Sequence, residues 1–466
     1  MLFNSLTFLV FFAIVLPVYL RIHAWDWRKR WLLLSSYVFY GAWYAPYTLI
    51  LLSSTTVDWW LARRIDQARS ASRRKALLML SLCANLGLLS LFKYTSFILT
   101  NLHRLLPGPL AQSLPADPGL LLPVGISFYT FASLSYTIDV YRRDIRAQAS
   151  WSDYALFVSF FPHLVAGPIL RAKVLLAQIE QPQQPSQQQI AWGLVLLIFG
   201  LFCKSIMADQ AFAPITDLVY TQVSRFGSLD TWIACGAFSA QIYYDFAGYS
   251  LCAIGIALCF GFSFPDNFHF PYAASGFMDF WRRWHISLST WLRDYLYIPL
   301  GGNRRSPLIT YRNLFLTMLI GGLWHGASWM FVLWGGLHGL FLALERRLFG
   351  RSGAPANLAV ILGTAFIVTL LWIPFRAHSM PQMWAILSHL WPATKGTSQL
   401  LPFHRAVVPL LLALTLAFQY FARHSSIEAI FQKCPGWLQL GLIAGAMISL
   451  YLFSGGDEHA FIYFQF

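Results

Sequence analysis

Charge is scarce in this chain of 466 residues: Asp, Glu, Lys and Arg together make up 11%, less than half of the roughly 25% usual in a soluble domain. With 57% hydrophobic residues and a mean hydropathy of +0.54, this excludes a soluble globular protein. The alternating pattern of barrel strands is also missing. Apolar runs of about 18 to 25 residues recur instead, each long enough to cross roughly 30 Å of hydrocarbon as a helix. The expected fold is an all-α polytopic membrane protein. Cysteine is sparse: Cys83, Cys203, Cys235, Cys252, Cys259 and Cys434 are scattered, with no CxxC pair. They read as packing residues, and neither a zinc site nor a disulfide framework is expected. There is no internal repeat and no soluble stretch of domain size, so one integral membrane domain is expected over residues 1–466, with a catalytic core at 121–345. The opening "MLFNSLTFLVFFAIVLPVYL" lacks a basic n-region and a small-residue cleavage site, and reads as a retained first span.

What charge there is leans positive, with 33 Lys and Arg against 19 Asp and Glu, a net +14. In a soluble protein that excess would point to nucleic acid. Here the basic residues cluster between apolar runs (Arg28, Lys29, Arg30; Arg63, Arg64, Arg73, Arg74, Lys75; Arg142, Arg143, Arg146; Arg346, Arg347), which marks cytoplasmic loops. The expected partner of this charge is the bilayer surface, not nucleic acid.

Placing those loops inside gives an inward run at 3–20, a hairpin of 31–44 with 47–60 tipped by Ala45-Pro46, an outward run at 76–99, an outside loop at 107–118 and a return at 121–141. "FVSFFPHLVAGPILR" (157–171) is apolar but broken by Pro162, Gly167 and Pro168, and reads as re-entrant or interfacial. Long spans follow at 190–207 and 231–260. The segment 268–305 is too charged to span and too aromatic for an ordinary loop; an amphipathic, partly inserted helix pair at the cytoplasmic side fits it. Runs at 312–324, 328–344, 358–375, 407–421 and 437–453 bring the expected total to eleven or twelve crossings plus re-entrant pieces.

Ionisable side chains at membrane depth are costly and usually line a cavity or pathway. The candidates are Asp245, His285, His325 and His338, and more weakly Lys93, His163, Lys204 and Asp209. In "GGLWHGASWMFVLWGGLHG" (321–339), Gly321, Gly322 and Gly326 surround His325, which suits a pocket or tunnel. A neutral buried imidazole there is a reasonable general base; a histidine bridging helices through a hydrogen bond is the equally weighted alternative. No HExxH or related spacing supports a metal site. Trp281, Trp284, Leu288, Trp291 and Tyr295 fall at helical spacing on one face, with Arg282, Arg283 and Arg293 off it. Those arginines either anchor the segment at the interface or hold the phosphates of a nucleotide-like co-substrate. Asp245, beside Tyr243, Tyr244 and Tyr249, is a structural or a catalytic carboxylate. The residues alone thus yield two histidines, one near the cytoplasmic face and one deeper.

The stretches "LPVGISFYTFASLSYTIDVYR" (122–142), "FFPHLVAGPILR" (160–171), "QIYYDFAGYS" (241–250), "FWRRWHISLSTWLRDYLYIPLGGNR" (280–304), "YRNLFLTMLIGGLWHGASW" (311–329) and "FIYFQF" (461–466) resemble the membrane-bound O-acyltransferase (MBOAT) family, in the bacterial branch that acetylates exopolysaccharides. The resemblance implies a ring of tilted helices around a central tunnel. It also implies that His325 is the catalytic histidine and His285 the second polar position. "CKSIMAD" (203–209) matches a Lys-x-x-x-Ala-Asp stretch of that branch, which brings Lys204 and Asp209 in as supporting residues. The donor implied is cytoplasmic acetyl-CoA and the site of action the bacterial inner membrane. The partners implied are a periplasmic acetyltransferase and a polysaccharide synthesis and export complex. The competing readings are a D-alanyl transferase of teichoic acids fed by a carrier-protein thioester, a transporter or flippase, and a scaffold for polysaccharide export; the absence of an inverted repeat weighs against a transporter.

Overall fold

The computed structural model describes residues 1–466 except 109, 111, 112, 116, 166, 351, 392–397 and 454–466. The terminal "FIYFQF" motif lies outside the described residues. Among those described, every regular element is helical and no β-strand occurs, as hydrocarbon requires when each backbone N–H and C=O must be satisfied within its own segment. Six helices are long and apolar enough to cross a membrane: Ala71–Leu105, Gln187–Thr221, Ser228–Cys259, Leu358–Arg376, Pro402–Ala422 and Gly436–Phe453. Others, such as Ile126–Arg142 and the pair Pro307–His325 and Trp329–Phe349, are shorter or carry polar groups packed against protein. The protein is a multi-pass membrane protein.

The chain divides into two compact units. One comprises residues 1–194 with 253–264, the other 195–252 with 265–466.

In the first unit, Tyr47–Gln67, Ala71–Leu89 and Ile126–Arg142 pack around a buried carboxylate. Asp58 Oδ1 accepts from Ser81 Oγ at 2.9 Å and from Asn85 Nδ2 at 2.8 Å. Buried polar groups of this kind persist only when hydrogen-bonded. The basic cluster at 28–30 is more than a solvated loop. Arg28 is buried, donates to the carbonyls of Ile22 and, at 2.9 Å, of Gln183, and stacks 4.9 Å over the Tyr19 ring. Lys29 pairs with Asp153 at 2.9 Å. In the segment 157–171 the helix Trp151–Ser159 ends at Phe160 and a short helix, Phe161–Leu164, follows, so the break falls before Pro162, which sits in the first turn of that short helix. His163, one of the weaker candidates, is spent there: its Nε2 lies 2.8 Å from the Phe157 carbonyl.

The second unit holds every leading candidate. Its tightest feature is the pair Pro307–His325 and Trp329–Phe349. A Cβ added at Gly322 would lie 2.3 Å from the Phe331 carbonyl, and one at Gly335 2.3 Å from the Met318 carbonyl. The glycines therefore set the distance between these two backbones, and the space they leave is occupied by the facing helix. The ring of Phe331 fills the remaining gap, since a Cβ at Gly326 would fall 2.1 Å from it. The small residues around His325 are thus explained by close packing and not by the open pocket that the sequence suggested.

Candidate active site

The aromatic segment 268–305 forms a helix pair, Phe277–Arg283 and Ile286–Leu292, and not one continuous helix. The break is at Trp284 and His285, where His285 adopts left-handed backbone with φ 43° and ψ 54°. That conformation is uncommon for a residue with a Cβ and persists only where the surroundings over-determine it. The single apolar stripe expected from Trp281 to Tyr295 is accordingly divided. Trp281 and Trp284 belong to the first helix and its exit, Leu288 and Trp291 to the second. The segment is packed into the protein: Trp284, His285 and Leu288 are 0%, 0% and 1% exposed.

Glu345 explains how the first helix is placed. Its carboxylate accepts from the backbone N–H of Phe277, and from that of Met278 at 3.1 Å. A buried anion thereby satisfies donors at a helix N-terminus. Glu345 stands beside the Arg346-Arg347 cluster, yet it is buried and works inward.

The break carries His285 inward to His325, the last residue of Pro307–His325. Their ring centroids are 6.3 Å apart, so the difference in depth expected between the two histidines is small. Both are enclosed, at 0% and 3% exposure. His325 is ringed by Trp324 and Trp334, each at 5.1 Å, and Phe375 at 5.7 Å. His285 meets the edge of Phe246 at 4.6 Å. Trp334 and Trp372 stack at 5.7 Å with 19° between planes, and extend the cage. Neutral imidazole is the form able to accept a proton.

His338 is close by but differently engaged. Its Nδ1 accepts from Trp281 Nε1 at 3.3 Å, and its ring lies 4.9 Å from Trp334 and 5.2 Å from Trp281. It is a packing histidine of the cage wall.

Next to Phe246 in the chain, Asp245 joins an ionic cluster whose members the sequence named without joining. Lys204 Nζ is 2.5 Å from Asp245 Oδ1 and 2.8 Å from Asp209 Oδ1. All three are buried. Lys204 and Asp209 sit in a widened π-helical stretch, Phe202–Phe212, inside the helix Gln187–Thr221; such insertions recur at functional positions. Gly248, one turn on from Asp245, allows the approach, since a Cβ there would lie 2.9 Å from the Lys204 backbone nitrogen.

The three arginines separate. Arg283 is committed inward, with Nε 2.9 Å from Asp279 Oδ2 and Nη1 donating to the carbonyls of His269 and Arg423. The Arg293 guanidinium is exposed and lies 2.6 Å from Asp294. Arg282 is exposed.

Sequence reasoning missed Asn267, Trp334, Trp372 and Phe375. The aromatics carried no signal beyond abundance, and Asn267 lies one residue before the segment singled out.

A helical multi-pass membrane protein with a caged histidine pair is the class that these features define. Comparison with known proteins is consistent with it. Residues 141–373 match the MBOAT, membrane-bound O-acyltransferase family. The chain is 41% identical over 426 residues to the "Probable alginate O-acetylase AlgI" of Pseudomonas aeruginosa, covering 90% of this chain and 80% of that one. It is 37% identical over 390 residues to the "Peptidoglycan O-acetyltransferase" of Helicobacter pylori, covering 77% and 73%. A more distant likeness, 26% over 239 residues, is to the "Teichoic acid D-alanyltransferase" of Streptococcus thermophilus, covering 48% and 57%. The chain belongs to the membrane-bound O-acyltransferase family and is an acyltransferase.

Proposed function

We propose that this chain takes an acetyl group from cytoplasmic acetyl-CoA and passes it across the bacterial inner membrane for O-acetylation of a secreted polysaccharide, with a periplasmic acetyltransferase as its partner. The observation that carries the reading is the enclosure of His285 and His325 with their rings 6.3 Å apart. The likeness to the alginate and peptidoglycan enzymes supports acetyl as the group and a glycan hydroxyl as its destination.

In this reading Arg282, with Arg293, meets the phosphates of the donor at the cytoplasmic side. His325 takes the proton from the acceptor hydroxyl as its oxygen attacks the thioester carbonyl. The carbon–sulfur bond breaks, a carbon–oxygen ester bond forms, and the proton passes from the imidazolium to the departing thiolate, leaving free CoA and the acetyl ester. His285 holds the thioester or the acceptor against that histidine. The Lys204, Asp209 and Asp245 cluster supports the helix that carries Phe246 against His285.

The test is reconstitution of the purified protein with radiolabelled acetyl-CoA, wild type against His325→Ala, following CoA release and transfer of label with and without the periplasmic partner. Turnover that vanishes in a folded variant is the expected result. Unchanged turnover makes His325 structural. Consumption of a carrier-protein thioester in place of acetyl-CoA favours the donor class suggested by the D-alanyl relative.

A further inference from the structure

Asn267 lies in the loop that follows the helix Ser228–Cys259, and it is 1% exposed. It holds three successive residues across the helix break. Its backbone carbonyl accepts from Ile286 N at 2.9 Å. Its side-chain Oδ1 accepts from Ser287 N at 3.2 Å and from Ser287 Oγ at 2.9 Å, and it lies 3.2 Å from His285 Nδ1. Its Nδ2 donates to Ser250 Oγ at 3.1 Å. Two residues further on, His269 N donates to the Arg283 carbonyl at 2.9 Å. Loop 267–269 thus clamps both sides of the left-handed residue and supplies the surroundings that such a conformation needs.

This network also determines a proton position. A backbone N–H can only donate, so the amide atom facing Ser287 N is oxygen, which assigns the orientation of the Asn267 amide. Ser287 has one hydroxyl proton. It goes to Asn267 Oδ1 at 2.9 Å in preference to His285 Nδ1 at 3.5 Å, a distance at the limit for such a bond. His285 Nδ1 therefore faces an oxygen lone pair and must carry its own hydrogen; otherwise two lone pairs would oppose each other at 3.2 Å in a buried site. Neutral imidazole has one N–H, so the lone pair falls on Nε2. That atom is buried and meets no hydrogen-bond partner among the described residues.

We infer that Asn267 is a positioning residue that holds His285 in the Nδ1–H tautomer, presenting the Nε2 lone pair as the acceptor for a hydrogen bond from a hydroxyl of the substrate. This rests on the proposed function for the identity of the substrate, whereas the tautomer itself does not depend on it. Asn267 acts through His285 in the way that an outer partner orients a ligating histidine.

The experiment is 15N NMR of the full chain with ring-labelled histidine in detergent micelles, the His285 signals being identified by their loss in His285→Gln. It is combined with kcat and KM for the acyl donor. Wild type is expected to show a protonated Nδ1 and an unprotonated Nε2. Asn267→Asp keeps an acceptor at the same place and should keep this signature. Asn267→Ala should move it toward the opposite tautomer and lower kcat by on the order of 10- to 100-fold with KM little changed. Ser287→Ala removes the competing donor and should leave the tautomer as in wild type. A wild-type His285 protonated on Nε2, or an Asn267→Ala protein that is folded with tautomer and kcat unchanged, would overturn the inference. The expected tautomer in a protein that consumes no thioester would support it while overturning the proposed function.

Discussion

Lys204 and Asp245 come from different helices and meet at 2.5 Å, and Asp209 lies 2.8 Å from the same ammonium. One cation thereby serves two carboxylates in a buried site, with Lys204 2% exposed. Removing a charge from such a cluster is unequal in effect, because what matters is the charge left behind.

Lys204→Met should therefore be the most damaging change here, leaving two buried carboxylates without their cation. A loss of about 3–5 kcal/mol is expected for breaking a buried pair. Asp245→Asn should cost less, since Asp209 still holds the lysine. Thermal unfolding of the purified variants in one detergent checks the order; an Asp245→Asn protein less stable than Lys204→Met contradicts it.

His325→Ala should lower turnover by roughly a hundred- to ten-thousand-fold, the range of general-base assistance, while the protein still folds. Its ring contacts include Trp324, Trp334 and Phe375, aromatic side chains that stay in place when the imidazole is truncated. Size-exclusion profile and near-UV circular dichroism, measured alongside CoA release, separate lost chemistry from lost structure.

Much of this arrangement was legible beforehand because the bilayer simplifies the reading. Long apolar runs become helices, and ionisable residues inside them stand out, which isolated His285, His325, Lys204, Asp209 and Asp245. What did not show was how they combine. The pattern from Trp281 to Tyr295 has a clean helical period, yet the chain leaves the helix at His285, where Asn267 bonds Ile286 and Ser287, a tertiary contact that periodicity cannot register. Arg28 and Glu345 were hidden for a related reason. Both lie in or beside basic clusters that read as loop markers, and only burial reveals that one binds carbonyls and the other a helix N-terminus. The glycines beside His325 were noticed, but sequence does not distinguish space left for a ligand from space filled by a facing backbone.

Arg282 and Arg283 are neighbours with opposite surroundings, and their alanine variants should fail differently. Arg283→Ala frees Asp279 and the carbonyls of His269 and Arg423. It should lower thermal stability by about 1–3 kcal/mol, the range for leaving buried polar groups unsatisfied. Arg282→Ala should leave stability within about 0.5 kcal/mol, as surface changes usually do, and raise KM for acetyl-CoA several-fold with kcat nearly unchanged, because a contact to the donor phosphates is the same in ground and transition state. Equal effects of the two variants on KM would remove the phosphate role from Arg282.

Gly322→Val tests whether the close approach of Pro307–His325 to Trp329–Phe349 holds the histidine in place. Even a Cβ at position 322 would lie 2.3 Å from the Phe331 carbonyl and 3.0 Å from Gly335 Cα, both backbone atoms that cannot turn aside. The helices must separate, at a cost of about 1–3 kcal/mol or more for overpacking. His325 is three residues on, on one of the separating helices, while Trp334 and Phe331 are on the other. The separation should therefore loosen the cage as well as the fold, and turnover should fall further than the stability loss alone accounts for. Gly363→Val is the control, since nothing lies within 4 Å of a Cβ there; it should change neither the unfolding midpoint nor the rate by a comparable amount. If Gly322→Val retained wild-type turnover at a temperature where it remains folded, the helix spacing would not be what positions His325.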